Sequence, residues 1–500
     1  MLMQRQESVP ETTARPQSFT AIDAAVGTAR LAQSRWSQVK LSERLRIVGR
    51  LRGRIAEEGR QLAECIEAGQ RDPVDSLTAE VIPLADACRF LERNATEILR
   101  PRNWGRRSRP MWLASVRLEV HREPVGLVLI IGPGNYPLFL PGVQVLQALV
   151  AGNAVLFKPA PGGAEPLVRL RRMLVDCGLD PGLLTLLDPD PVSAEAAIDA
   201  GVDKVILTGS ASTGRQVLRQ LSPHLTPAVM ELSGCDAVFV CADADLDLTA
   251  RSLVFGLSLN GGRTCIAPRR VFVPSDLEVP LQERLIAVSR DLPFVPSSIE
   301  TIRLLSDHLD EARREGARVL CGEVDRSRSC VRPLILSGAK LEMSLLQADV
   351  FAPILSLVPV ADEEQALEWN AQCPYALGAT VFGGSTAREL ARRIDAGVVV
   401  INDMIVPHAD PRLPFSPRGQ SGFGVTRGAE GLLEMTRIKA ISRRAGRLRP
   451  HLEPRRSEDA QLFHAYLLTT HARSWRRRLG ALGQLARALF RRSRSDGAPS

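Results

Sequence analysis

Four stretches of continuous apolar sequence constrain this chain most. "GLVLIIGP" at 126–133, "AVLFKPA", "KVILTGS" and "AVFVCADADL" are short runs, each closed by glycine, proline or a small polar residue. A strand wetted on one face alternates apolar and polar residues. A strand covered on both faces reads as an unbroken run, as in parallel sheets. Helical stretches separate the four runs, and that alternation predicts an α/β doubly wound sheet. The pattern recurs after Cys265 in "RRVFVP", "ILSLVPV", "ATVFGG" and "VVVIND", predicting a second α/β domain. Five hundred residues also exceed what one core organises. Upstream, "LSERLRIVGRLRGRIAEEGRQLAECI" repeats apolar residues at three and four, so residues 21–70 read as two amphipathic helices. A third helix fits 78–100. "WGRRSRPMWLASVRLEVHREPVG" alternates between Arg and Pro punctuation and reads as a β-ribbon.

Composition narrows the classes of function. Hydrophobic content of 45% with 24% charged residues is that of a soluble globular protein. Nine irregularly spaced cysteines do not form a disulfide framework, and no CxxC pair has zinc-ligand spacing. No metal site is expected. The first nineteen residues lack the apolar core of a signal peptide, so a reducing, cytoplasmic setting is expected. The net charge of +8 is unevenly spread. From Arg443 to Ser500 there are 14 arginines, no lysines and four acids, which makes that tail +10 and leaves residues 1–442 at −2. A near-neutral body gives nucleic-acid binding no electrostatic support.

Three places carry candidate chemistry. In "ILTGSASTGR", Gly209 and Gly214 bracket a serine-rich turn with Ser210 ahead of a helix. Small residues let the backbone approach a phosphate, and a helix start supplies free N–H donors. No GxGxxG is present, and such turns are common. In "VMELSGCDAV", Glu231 taken alone reads as an ordinary solvated carboxylate at a strand end. In "NGGRTCIAP", Cys265 follows two glycines, and taken alone it reads as a small buried apolar residue. An inward-pointing Arg263 would favour its thiolate.

Taken in order, "GPGNYP", "FKPA", "LTGSASTG", "ELSG", "NGGRTC", "DVFAPI", "VVVIND" and "LPFSPRGQSGFG" resemble the aldehyde dehydrogenase superfamily over roughly residues 20–442. Glu231 and Cys265 are 34 apart, and Asn135 and Lys158 are 23 apart, as in that family. The length is similar to its shorter, class-3-like branch, whose members are typically dimers. The resemblance implies a Rossmann-like cofactor domain over 1–104 and 123–232 and an α/β catalytic domain over 233–431. It also implies a small β-ribbon oligomerisation element over 105–122 and 432–442. By the same resemblance Cys265 is the nucleophile, Asn135 an oxyanion donor and Glu231 the general base. NAD or NADP is the implied cofactor, met by Lys158, Gly209, Ser210, Gly214, Asp349 and Phe351. Asn402 would shape the site near the substrate, and Phe415 would line the substrate tunnel. A small-molecule aldehyde is the implied substrate, and a homodimer the implied assembly. The chain departs from the family pattern in five places. Pro161 replaces an acid three residues after Lys158, with Glu165 nearby. Asp349 replaces a glutamate and Ala352 a glycine. "ELGGK" has become "ELSGC", and Arg263 stands where glutamine is usual. A CoA-dependent acylating enzyme and a weakly active, membrane-associated binding protein are the alternatives.

Beyond the family body lies the basic tail, 443–500. "WRRRLGALGQLARALFRR" sets Trp475, Leu479, Leu482, Ala486 and Leu489 at helical spacing among arginines. The segment is too short and too charged to span a bilayer. It reads as an interfacial helix, giving peripheral contact with the membrane inner face, as a solvated helix packed on its own body, or as disordered chain.

Overall fold

The computed structural model describes residues 19–66, 71–446, 449–452, 454–457 and 459–495. Apart from Phe19, the stretch read for a leader lies outside them. The chain forms two compact units. One runs to Arg102 and resumes over Glu119–Ile441; the other joins Asn103–Leu118 to the chain from Ser442 onward.

The large unit holds two large sheets and one two-stranded pairing, Tyr375–Ala376 with Arg418–Gly419. In the first, Ala228–Leu232, Lys204–Gly209, Leu127–Ile131, Ala154–Lys158 and Leu184–Leu186 lie side by side in that order, all parallel. The short strand Gly422–Phe423 closes the edge, antiparallel, with Gly422 opposite Glu231. Every residue of Leu127–Ile131 and Ala154–Lys158 is buried, as the unbroken runs predict. Helices Phe19–Trp36, Leu41–Glu64 and Ile82–Leu99 pack into the same core. Helix Phe139–Ala151 is buried on all sides, apolar but for Gln144 and Gln147, whose amides bond Thr208 Oγ1 and Gly428 O. Helix Gly428–Glu434 also contributes here, through Leu432.

The second sheet is built on parallel strands Asp236–Val240, Pro268–Pro274, Ile354–Val360, Gly378–Phe382 and Val398–Ile401. Separate apolar cores cover its two faces. Both sheets therefore match the doubly wound expectation. A third sheet has the order Arg102–Trp104, Val116–Pro124, Thr436–Arg444, and its last strand is almost wholly exposed.

In the small unit, helices Asp459–His471 and Trp475–Ser495 pack on each other. Ala465 of the first and Ala481 and Leu485 of the second are buried. The apolar stripe predicted on the second helix is not used for this packing. Trp475 is 66% exposed, Leu479 60%, Leu482 50% and Leu489 53%. No helix among the described residues is long and apolar enough to cross a membrane.

Candidate active site

In a parallel sheet all strands end at one edge, and ligands bind outside that carboxyl edge. Here the edge collects the loop after Ile131, Lys158, Gly209 and Glu231. A cavity of about 440 Å³ opens there. Asn135, Glu231, Cys265 and Arg263 line it, together with Gly209, Ser210, Asp349 and Phe351. Lys158 and Gly214 are not on its walls. Lys158 is buried at the end of its own strand on the same edge, and burial lowers its pKa. Gly214 lies inside helix Ala211–Leu221. A side chain there would come within 2.8 Å of Leu232, so packing on the neighbouring strand accounts for the glycine.

Local geometry explains how Cys265 is presented. Asn260, Gly261 and Gly262 are consecutive left-handed residues, with φ of 52°, 62° and 71°. A Cβ on Gly262 would sit 2.5 Å from the Pro353 backbone, and one on Gly261 2.5 Å from Val295. Glycine is required at both by close approach as well as by φ. The guanidinium of Arg269 then fastens the turn. Its Nη2 donates to Gly262 O at 2.7 Å, and its Nη1 donates to Ala352 O. One buried side chain thus ties the Cys265 loop to the segment carrying Asp349 and Phe351.

The Asn135 amide is fixed in orientation. Its Nδ2 donates one hydrogen to Arg263 O at 2.9 Å, leaving the second amide hydrogen for a ligand. Glu231 is 2% exposed, which overturns its reading as a solvated carboxylate. It lies next to the end of a central strand, and Gly422–Phe423 covers that edge. Thr426 Oγ1 donates to Glu231 Oε2 at 2.7 Å. Burial holds the Glu231 pKa above the usual carboxylate range, while Arg427 and Thr426 pull it down.

The Cys265 thiol is pushed well up, by burial first and by the Glu231 carboxylate second. Arg427 is the cation that opposes this rise. Arg263 shares the cavity wall with Cys265, and its Nε donates to the Asn260 carbonyl at 3.3 Å. Arg427 is 6% exposed and stacks on Phe415, its Cζ 4.5 Å from the ring centroid.

Phe415 packs with Ile266, Leu377 and Val398 against Cys265. Asn402 is not on the cavity wall. Its amide is consumed by Gly383, accepting from N at 2.9 Å and donating to O at 2.7 Å. Asp349 bonds the Ser233 hydroxyl, and burial raises its pKa. Ser210 Oγ caps its own helix by accepting from Thr213 N at 3.2 Å.

Sequence reading missed Arg71, Glu80, Arg269 and Arg427. One signal was present, since "APRRVFVP" sets two arginines at the head of a strand that must be buried. Among the described residues no group of three or more His, Cys, Asp or Glu side chains could hold a metal ion.

A thiol, an amide donor and a buried carboxylate on one cavity suit acyl chemistry at a carbonyl. The family model for the aldehyde dehydrogenase family matches residues 8–441. The chain belongs to the aldehyde dehydrogenase family and is an aldehyde-oxidising enzyme. A 4,4'-diapolycopene aldehyde oxidase from Methylomonas sp. is 28% identical over 82% of this chain and 79% of its own. A putative NADP(+) succinate-semialdehyde dehydrogenase from Mycobacterium tuberculosis is 28% identical over 87% and 86%. Among solved structures, an NAD-dependent aldehyde dehydrogenase from Sinorhizobium meliloti superposes with a TM-score of 0.82 at 25% identity, covering 88% of this chain and 89% of its own. The NADP-dependent glyceraldehyde-3-phosphate dehydrogenase from Bacillus halodurans C-125, complexed with NADP, gives 0.80 at 26%, covering 86% and 92%.

Proposed function

We propose that the protein oxidises an aldehyde to a carboxylic acid with NAD or NADP, through a thioester on Cys265. The observation that supports this most is the single cavity shared by Cys265, Asn135 and Glu231. The Cys265 sulfur adds to the carbonyl carbon, giving a thiohemiacetal. The developing oxyanion is met by the Asn135 amide and the Cys265 N–H. NAD or NADP, when bound, takes up the hydride that leaves the substrate carbon. Glu231 then accepts a proton from the water that attacks the thioester.

The cavity fits a nicotinamide nucleotide on three counts. Gly209 and Ser210 open a helix start onto it, Lys158 ends a strand on the same edge, and Asp349 and Phe351 face the nucleophile. On this reading 1–104 and 123–232 bind the nucleotide, 233–431 carry the chemistry, and 105–122 with 432–442 join two copies into a homodimer. The class-3-like branch fits that assembly. A cytoplasmic setting with peripheral membrane contact through 443–500 completes the proposal, supported by the uncovered stripe of helix Trp475–Ser495. The buried Glu231 favours water over coenzyme A as acceptor. The deciding experiment follows NAD(P)H absorbance with a panel of aldehydes for wild type and Cys265→Ala. Turnover should vanish in the variant while nucleotide binding persists; substantial residual turnover would remove Cys265 from the mechanism.

A further inference from the structure

Behind the cavity wall lies a buried ion pair that the chemistry above does not use. Arg71 and Glu80 meet at 2.7 Å, with side chains 2% and 0% exposed. Neither lines the cavity. Glu80 Oε2 accepts from the backbone N–H groups of Leu138 at 2.7 Å and Phe139 at 3.0 Å. Leu138 is the N-cap of helix Phe139–Ala151 and its own side chain makes no capping bond, so Glu80 caps that helix from a distant element. Arg71 reaches both halves of the active site. Its Nη2 donates to Asn135 O, and its Nε donates to Asn260 Oδ1 at 3.1 Å. Asn260 Nδ2 in turn donates to Asn135 O at 2.9 Å and to Arg263 O at 3.3 Å. The guanidinium lies 4.7 Å from the centroid of the Tyr136 ring, whose hydroxyl bonds Thr264 Oγ1 at 2.8 Å.

Every residue from Asn135 to Phe139 except Pro137 is thus held, directly or through one neighbour, by this pair. So are Asn260, Arg263 and Thr264, on the approach to Cys265. Burying two charges is costly unless geometry and further hydrogen bonds compensate, and it serves best where register matters. We propose that Arg71 and Glu80 are the positioning pair of this active site, setting the Asn135 amide in register with the Cys265 sulfur. Only a planar fork can bond Glu80, Asn135 and Asn260 at once while stacking on Tyr136, so lysine is a poor substitute. This inference rests on Asn135 being the oxyanion donor.

The test compares wild type with Arg71→Lys, Glu80→Gln, the double variant Arg71→Met/Glu80→Leu, and Asn135→Ala as control. The double variant leaves no lone charge buried, so it folds where a single apolar replacement can fail. Three readouts are needed: kcat and KM for aldehyde and nucleotide, single-turnover NAD(P)H formation, and Cys265 alkylation by iodoacetamide. Alkylation needs the thiol but no oxyanion donor. All pair variants should lose at least tenfold in kcat and in the single-turnover rate. Nucleotide KM and alkylation rate should stay within about twofold, with Arg71→Lys the mildest. Wild-type turnover in Asn135→Ala would overturn the oxyanion reading itself. A slow Asn135→Ala beside wild-type rates in the pair variants would overturn the positioning pair alone. Alkylation falling in step with turnover would also overturn it, by making the pair a general support of the nucleophile loop.

Discussion

Arg427 sets the electrostatic balance at Cys265 and Glu231. Both groups are raised by burial, and this one guanidinium lowers both. Thr426, its neighbour, holds Glu231 by a hydroxyl. On the proposed mechanism Glu231 must be ionised to accept a proton, so turnover limited by hydrolysis should rise as pH passes its pKa. Removing the cation lifts that pKa further. Arg427→Met should therefore move the rising limb of kcat against pH to higher pH, and a limb that stays put or moves to acid would refute this balance. Glu231→Gln should separate the two halves of the reaction. A base is needed only when water attacks, so a full burst of NAD(P)H should precede slow turnover. A burst slowed as much as the steady state, with no acyl-enzyme detectable by mass, would show a different role. These charges explain the limit of sequence reading. An arginine in "GVTRGAEG" or "GQRDPV" looks solvated, because nothing local marks the carboxylate or carbonyl that permits its burial. Glu231 was ambiguous for the same reason, and only the order of motifs raised it above its neighbours.

At the scale of elements, apolar periodicity suffices wherever both faces of a strand are covered. Leu127–Ile131 and Ala154–Lys158 are plain in the sequence for that reason. The nucleophile turn was less legible. Two glycines announce flexibility, but its cause is the approach of Pro353 and Val295, far along the chain. Gly262→Ala should cost on the order of 1–3 kcal/mol through its left-handed φ alone. Contact with Pro353 should add to that and lower turnover, measured by thermal unfolding and active-site titration; wild-type values in both would show that the loop relaxes freely. The strand ending at Lys158 carries a second expectation. Pro161 removes the acid that would repel a 2′-phosphate, and Glu165 is paired with Arg169 at 2.9 Å. NADP should be accepted beside NAD. A preference for NAD beyond about a thousandfold, roughly 4 kcal/mol, would show otherwise.

For the molecule as a whole, the open question is carried by the tail, whose second helix presents an exposed apolar stripe. Helix Trp475–Ser495 packs through Ala481 and Leu485, and its apolar stripe remains uncovered among arginines. Such a face suits an anionic lipid surface, each arginine near it contributing on the order of 1 kcal/mol. Truncation after Arg444 should leave activity on short, soluble aldehydes and abolish co-sedimentation with anionic vesicles at low salt. Equal sedimentation of both forms would defeat the membrane reading, and collapse of the truncated enzyme would assign the tail to the body.

The Arg269 clamp has a consequence for motion. Gly262 and Ala352 accept from the same guanidinium, so the turn ahead of Cys265 and the Phe351 wall are tied through one side chain. On the proposed reading of Cys265, a displacement of that wall would be felt at the thiol, so cofactor departure and the resetting of Cys265 would be coupled through Arg269, and Arg269→Met should uncouple them.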